Sequence, residues 1–203
     1  MLFEDLPWNC SCGAAHVARS YKSMGLYEQP EHRMLLRSVF EGQHNVFVCD
    51  RCGQRAVIDR DLLVIDHVAK WAVYALNRDE DQAAMQSELP RSLAGYRTRI
   101  VRDRVDLVER VRMLVGGVDD VAIEVLRLFL RSGPDAGAYR FMFERMDEER
   151  IYFVVLDGRR PVGTQQSQTA AYQSVRARFD TAKHAMGPWV DQQLARELVL
   201  PGR

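Results

Sequence analysis

Four cysteines carry the clearest chemistry in this chain. They come as two close pairs, Trp8-Asn9-Cys10-Ser11-Cys12-Gly13 and Cys49-Asp50-Arg51-Cys52-Gly53. Two thiolates on a tight turn can grip one soft or borderline cation. Two such turns from separate loops complete the four-ligand tetrahedron that zinc prefers. Cys49-x-x-Cys52 has the spacing of a regular knuckle, and Gly53 supplies the left-handed residue such a turn needs; a glycine follows the first pair too. Cys10-x-Cys12 is tighter than the usual spacing. Either Cys10 completes the set, or His16 or His44 replaces it and Cys10 stays a free thiol. The expectation is one zinc ion held by Cys10, Cys12, Cys49 and Cys52. Its expected role is structural. A catalytic zinc keeps an open position beside a general acid or base, and no H-x-E pattern places a glutamate near Cys10 or Cys12.

Other reactive groupings read more plainly. Asp119, Asp120 and Glu124 gather three carboxylates near one helix start, where an N-cap and charges favourable to the positive helix end account for them. Asp66-His67 falls at a strand end, and adjacent strand residues point to opposite faces. Residues 91 to 112 hold Arg91, Arg97, Arg99, Arg102, Arg104, Arg110 and Arg112 against Asp103, Asp106 and Glu109. These are expected to form a solvated, self-paired face. No G-x-S-x-G, P-loop, G-x-G-x-x-G or H-E-x-x-H pattern is present, so no catalytic residue is assigned.

These residues must be positioned by a chain of 203 residues, enough for one sizeable core or two small ones. Hydrophobic residues make up 47%, a globular composition. The 28 basic and 28 acidic residues cancel, so no overall field draws in nucleic acid or an anionic membrane. No stretch approaches the roughly 20 apolar residues that span a bilayer. Met1 to Asp5 is acidic and lacks the basic n-region of a secretory signal. A cytoplasmic location is therefore expected, where paired cysteines read as metal ligands before disulfides.

The expected fold class is α+β. A segment over 1–78 holds the zinc knuckles on a small antiparallel sheet. Ala15 to Met24, Asn45 to Val48, Ala56 to Ile58, Leu62 to Ile65 and Trp71 to Leu76 read as strands, and a helix opens at Pro30-Glu31. A connector and an αα-hairpin over 79–133 follow, with one helix about Arg104 to Val115 and another about Asp120 to Arg131. Asp119 is the N-cap of the second, and Gly133-Pro134 its stop. A third segment over 139–203 carries a β-hairpin turning at Asp147-Glu148-Glu149 and a helix from about Gln168 to Met186. That helix bears Tyr172, Val175, Phe179, Ala182 and Met186 on one face, and a short helix covers Asp191 to Leu198.

The paired cysteines, the run Gly42-Gln43-His44-Asn45-Val46-Phe47-Val48 leading into Cys49, then Leu62 to Asp66, Arg99-Ile100-Val101, Asp106 to Val111 and Val118 to Leu126, resemble in their order the bacterial CpXC family. The resemblance covers most of residues 8 to 130. It implies zinc binding and no particular activity. Asp50 stands where that family prefers proline, and the first knuckle is one residue short. The function expected is a non-enzymatic, zinc-stabilised protein-binding module, one version of which is an immunity or antitoxin protein. The alternatives are a nucleic-acid-binding zinc ribbon and an enzyme with an unrecognised site. Any partner is expected to be a protein, with its contact surface mainly within 139–203, and specific DNA binding is not expected.

Overall fold

The structure, a computed structural model, describes residues 2–26, 30–76, 91–131, 138–179, 181 and 187–200. Two compact units divide the chain, Met1–Val111 and Arg112–Arg203.

In the first unit, β1 (Leu2–Asn9) and β2 (Ala15–Leu26) form an antiparallel hairpin that ends with Asn9 opposite Ala15. Pro7 lies within β1, which is an edge strand, where a missing N–H breaks no ladder. α1 (Pro30–Phe40) packs against β2. Val39 on it is fully buried, while Met34 is exposed. β3 (Val46–Val48) and β4 (Arg55–Val57) make a separate two-stranded antiparallel ribbon. β5 (Leu62–Asp66), β6 (Trp71–Ala75) and β7 (Arg97–Val101) complete a five-stranded sheet in the order β1-β2-β5-β6-β7.

The cysteine-bearing ribbon is antiparallel, but the large sheet is mixed: β2 pairs with β5, and β6 with β7, in parallel. Both parallel pairs are joined by long stretches of chain, over 27–61 and 76–96. Only a crossover of a dozen or more residues can return a chain for parallel pairing. β6 sits between two neighbours and buries Trp71, Ala72, Val73 and Ala75, as an inner strand covered on both faces should. α2 (Arg104–Val115) follows β7. Its start is capped by Asp103, whose Oδ1 accepts from the N–H of Asp106 at 2.7 Å.

In the second unit, α3 (Asp120–Leu130) starts from Asp119, whose carboxylate accepts from the N–H groups of Val121 and Ala122. β8 (Arg140–Met146), β9 (Arg150–Asp157) and β10 (Arg160–Gln168) form an antiparallel sheet in the order β10-β9-β8. α4 (Thr169–Arg178) and α5 (Gln192–Val199) complete the unit. Ile123 and Leu126 of α3, Phe141, Phe143, Ile151 and Phe153 of the sheet, and Tyr172 and Ala195 close one core.

The expected class, α+β with a C-terminal hairpin and helix, is the one observed. α4 is shorter than its periodicity predicts. It stops at Arg178, and Phe179 is extended (φ −110, ψ 135). Two residues on, Thr181 donates from Oγ1 to Asp119 Oδ2 at 2.7 Å, which ties the chain back to the cap of α3 and off the helical path. Ala182, Met186 and the Gly133-Pro134 stop lie outside the described residues.

Candidate metal centre

Each cysteine pair sits on the turn of a hairpin. Cys10 and Cys12 lie between β1 and β2, and Cys49 and Cys52 between β3 and β4. In the first turn, Cys10 N–H donates to Ala14 O at 2.8 Å and Gly13 N–H to Cys10 O at 2.9 Å. In the second, Cys49 N–H donates to Gln54 O and Gly53 N–H to Cys49 O, both at 2.8 Å. Gly13 (φ +82) and Gly53 (φ +74) occupy the left-handed region. A side chain there would strain the backbone that curls each loop around its sulfurs.

The turns face each other. Cys10 Sγ lies 3.5 Å from Cys52 Sγ, and Cys12 Sγ lies 3.7 Å from Cys49 Sγ. All four sulfurs lie within 4.8 Å of one another, and the group could hold a metal ion. Tetrahedral geometry with metal–sulfur bonds of about 2.3 Å requires sulfur–sulfur separations of about 3.8 Å. The spacing fits that requirement, and the tight Cys10-x-Cys12 turn brings both of its sulfurs into the group.

Main-chain N–H groups stabilise the sulfurs. The N–H of Cys12 reaches Cys10 Sγ and that of Ala14 reaches Cys12 Sγ. Those of Cys52 and Arg51 reach Cys49 Sγ, and that of Gln54 reaches Cys52 Sγ. Hydrogen bonds to the charged form favour ionisation. The Cys12 N–H, with the neighbouring thiols, holds Cys10 down at about 7. Cys52 also receives an N–H, from Gln54, yet the adjoining Cys10 sulfur pushes it up to about 12. Cys49, which receives two main-chain N–H groups and His16, is likewise held below the ordinary thiol value, whereas Cys12 is raised like Cys52, so that further negative charge in the cluster meets negative charge. A bound divalent cation resolves that conflict, because metal coordination deprotonates thiols outright.

Two further side chains reach the sulfurs: Gln54, which the cysteine pattern does not reveal, and His16, the alternative ligand that the sequence offers. Gln54 ties the loops together: its Oε1 accepts from Ser11 Oγ and lies 3.2 Å from Cys10 Sγ. His16, which pairs with Trp8 across the β1–β2 hairpin and stacks on its ring, brings Nε2 to 3.2 Å from Cys49 Sγ. Its Nδ1 lies 3.7 Å from Asp50 Oδ1. His16, Cys49 and Asp50 thus form a second, overlapping group of possible ligands. His44 belongs to neither group. It is buried, and burial together with the Arg104 guanidinium lowers its pKa to about 4.

The remaining groupings serve the framework. The Asp119 carboxylate caps α3 and receives Thr181, and Glu124 accepts from Arg127 with both side chains buried. Asp66 Oδ1 accepts from the N–H groups of Val68 and Ala69 in a turn, and His67 Nδ1 is 2.9 Å from Tyr96 Oη. Among the described side chains, the arginines of 91–112 do not all lie on the solvated face that their density suggests: Arg102 is exposed, but others turn inward. Arg99 is 1% exposed and Arg110 6%, and Arg104 donates to the carbonyl oxygens of Gly42 and His44. A guanidinium with five donors in a planar fork suits such internal anchoring, and so it escapes a reading by charge count.

Comparison with known proteins agrees with the cysteine geometry. The family model described as CpXC protein matches residues 8–127, a span that starts two residues before the first cysteine and takes in both hairpin turns. No curated protein matches, and no solved structure matches. The match covers well over half of the chain, which therefore belongs to the CpXC family.

Proposed function

We propose that this chain is a non-enzymatic protein-binding module whose first unit is stabilised by one structural zinc ion on Cys10, Cys12, Cys49 and Cys52. The observation that carries the reading is the four-sulfur group itself, with a main-chain N–H on every sulfur. Four thiolates in a tetrahedron select zinc or iron over the hard divalent cations, and zinc needs no redox partner. Four protein ligands leave no position for water or substrate, which separates a structural site from a catalytic one. When bound, the ion would clamp the β1–β2 turn to the β3–β4 turn, a closure that the short β3–β4 ribbon would otherwise have to maintain with a few backbone bonds.

The binding role draws support from the second unit. A groove of about 760 Å³ lies there beside the ends of α3 and α5. Phe129, Tyr139 and Leu200 line it, each more than a third exposed, together with Arg131, Arg140 and Arg196. Aromatic residues and arginine are the types enriched where proteins meet. The nucleic-acid reading loses its main support, since Arg99 and Arg110 are buried and Arg104 is engaged with main-chain carbonyls.

Affinity capture with the full chain tests the reading, alongside the double variant Tyr139→Ala/Arg196→Glu. One stoichiometric protein, retained by zinc-loaded chain and lost from the equally zinc-loaded variant, is expected. Capture of nucleic acid that survives physiological salt would refute it, as would turnover abolished by altering the cysteines.

A further inference from the structure

We propose that β10 is the strand through which two copies of this chain pair, edge to edge and antiparallel, into one continuous sheet. The proposal is independent of the metal centre. β10 lies at the end of its sheet, with β9 as its only neighbour there among the described residues. Of its nine residues, eight are exposed and Ser167 is intermediate. The core lies under β8 and β9, where Phe141, Phe143, Ile151 and Phe153 are buried. Gln165 stands opposite Phe153 in the register yet is exposed, so β10 overhangs the core with both faces in water.

The main chain of β10 presents an ordered row of donors and acceptors along its outer edge. Thr169 N–H donates to Glu149 O at 2.8 Å, which fixes the alternation of the β9–β10 ladder. Antiparallel residues alternate between exchanging bonds with the neighbour and facing away from it. Residues 165 and 167 therefore bond to β9, and the N–H and C=O groups of Thr164, Gln166 and Gln168 face outward. The side chain of Gln165 reaches over to one of these, with Nε2 3.3 Å from Gln166 O.

The two edges of this sheet are guarded unequally. β8 carries Arg140, Glu144 and Arg145, and its register slips between Phe143 and Arg145. Charge and bulges are the means by which proteins keep edges from pairing. β10 has a slip too, but only between Pro161 and Gly163. From Gly163 to Gln168 its pairing is regular and its residues, Gly-Thr-Gln-Gln-Ser-Gln, are uncharged.

Self-pairing makes a specific demand. Across a two-fold axis, each residue near the centre meets its own copy or a close neighbour, so any charge there opposes itself. An axis at Gln165 or Gln166 leaves every opposing pair between Gly163 and Gln168 uncharged, and amides and hydroxyls can bond across it. A strand adapted to a charged partner segment would be expected to carry the opposite charge along its regular run, and Gly163 to Gln168 carries none, the one charge of β10 being Arg160 beyond the slip.

Analytical ultracentrifugation of the full chain tests the proposal. The expected result is a concentration-dependent species of twice the 23.3 kDa chain mass. Gln165→Lys and Gln165→Glu should each weaken association by about tenfold or more, with the far-UV circular dichroism unchanged. An equimolar mixture of the two should restore the dimer, which a folding defect could not do. Glu144→Lys on the guarded edge should leave association as it is. A monomer at every concentration would overturn the proposal. So would a dimer indifferent to both Gln165 variants, or a mixture that stays monomeric.

Discussion

The sulfur of Cys12 lies 3.7 Å from that of Cys49, although 37 positions separate them along the chain. Two hairpin turns meet at this point, and the short ribbon β3–β4 depends on it, because three residues a side bury little. Cys49→Ser should therefore abolish stoichiometric metal and lower the stability of the first unit by about 3 kcal/mol or more, well above the roughly 1 kcal/mol of an average substitution. Thermal unfolding, followed together with metal content, measures both effects.

His16 offers its Nε2 to Cys49 Sγ at 3.2 Å from a ring held against Trp8. A hydrogen bond to a ligand sulfur orients it and stabilises its charge. Loss of such an outer partner commonly weakens metal binding by about 10–100-fold. His16→Ala is expected to weaken zinc affinity by that factor while the loaded protein keeps its fold, as measured by competition with a chromophoric chelator. An unchanged affinity would make the contact incidental.

Gly53 holds φ +74 at the point where the Cys49–Cys52 turn closes, with no atom near the site a Cβ would take. The cost of Gly53→Ala is therefore conformational and not steric, on the order of 1–2 kcal/mol. It should appear as reduced stability and slower metal loading in a protein that still binds one equivalent at saturation.

His44 is neutral in the folded chain because burial, and then the Arg104 charge, lowers its pKa to about 4 from 6.5. The unfolded chain therefore takes up a proton between those values that the folded chain refuses. Folding stability from this group is intact above pH 6.5 and is lost as pH falls toward 4, by roughly 1.4 kcal/mol per unit at most. His44→Gln should flatten that slope relative to the native chain when both are unfolded by denaturant at matched pH. Metal loss at low pH affects both proteins and cancels in the comparison.

The sequence made some parts of this molecule plain and hid others, for reasons visible in particular residues. The C-x-x-C spacing and its glycine announced the second turn, and Asp119 sits as the cap its type suggests, while Asp191, placed by the sequence within the last helix, is that helix's cap. β1 escaped notice because Leu2–Asn9 carries two acidic residues and a proline, a composition that only an edge strand tolerates. β10 escaped because both of its faces are wet, which erases the alternation by which strands are read. Parallel pairing of β2 with β5 leaves no mark on either strand, since side-chain period is the same in both senses. Gln54 reaches the four sulfurs only through the meeting of the two hairpins, and nothing in its local sequence shows it, whereas His16, a candidate ligand by its nearness to the first pair, arrives at Cys49 of the second.

X-ray absorption at the zinc edge, on protein purified without added metal, bears on the four-sulfur centre with the fewest assumptions. One zinc per chain, with four sulfur neighbours at about 2.3 Å and no lighter neighbour, is the expected spectrum. A nitrogen or oxygen neighbour at about 2.0–2.1 Å would mean that His16, or water, takes a place assigned to a cysteine. Less than half an equivalent of any metal would mean that the four thiols serve another end.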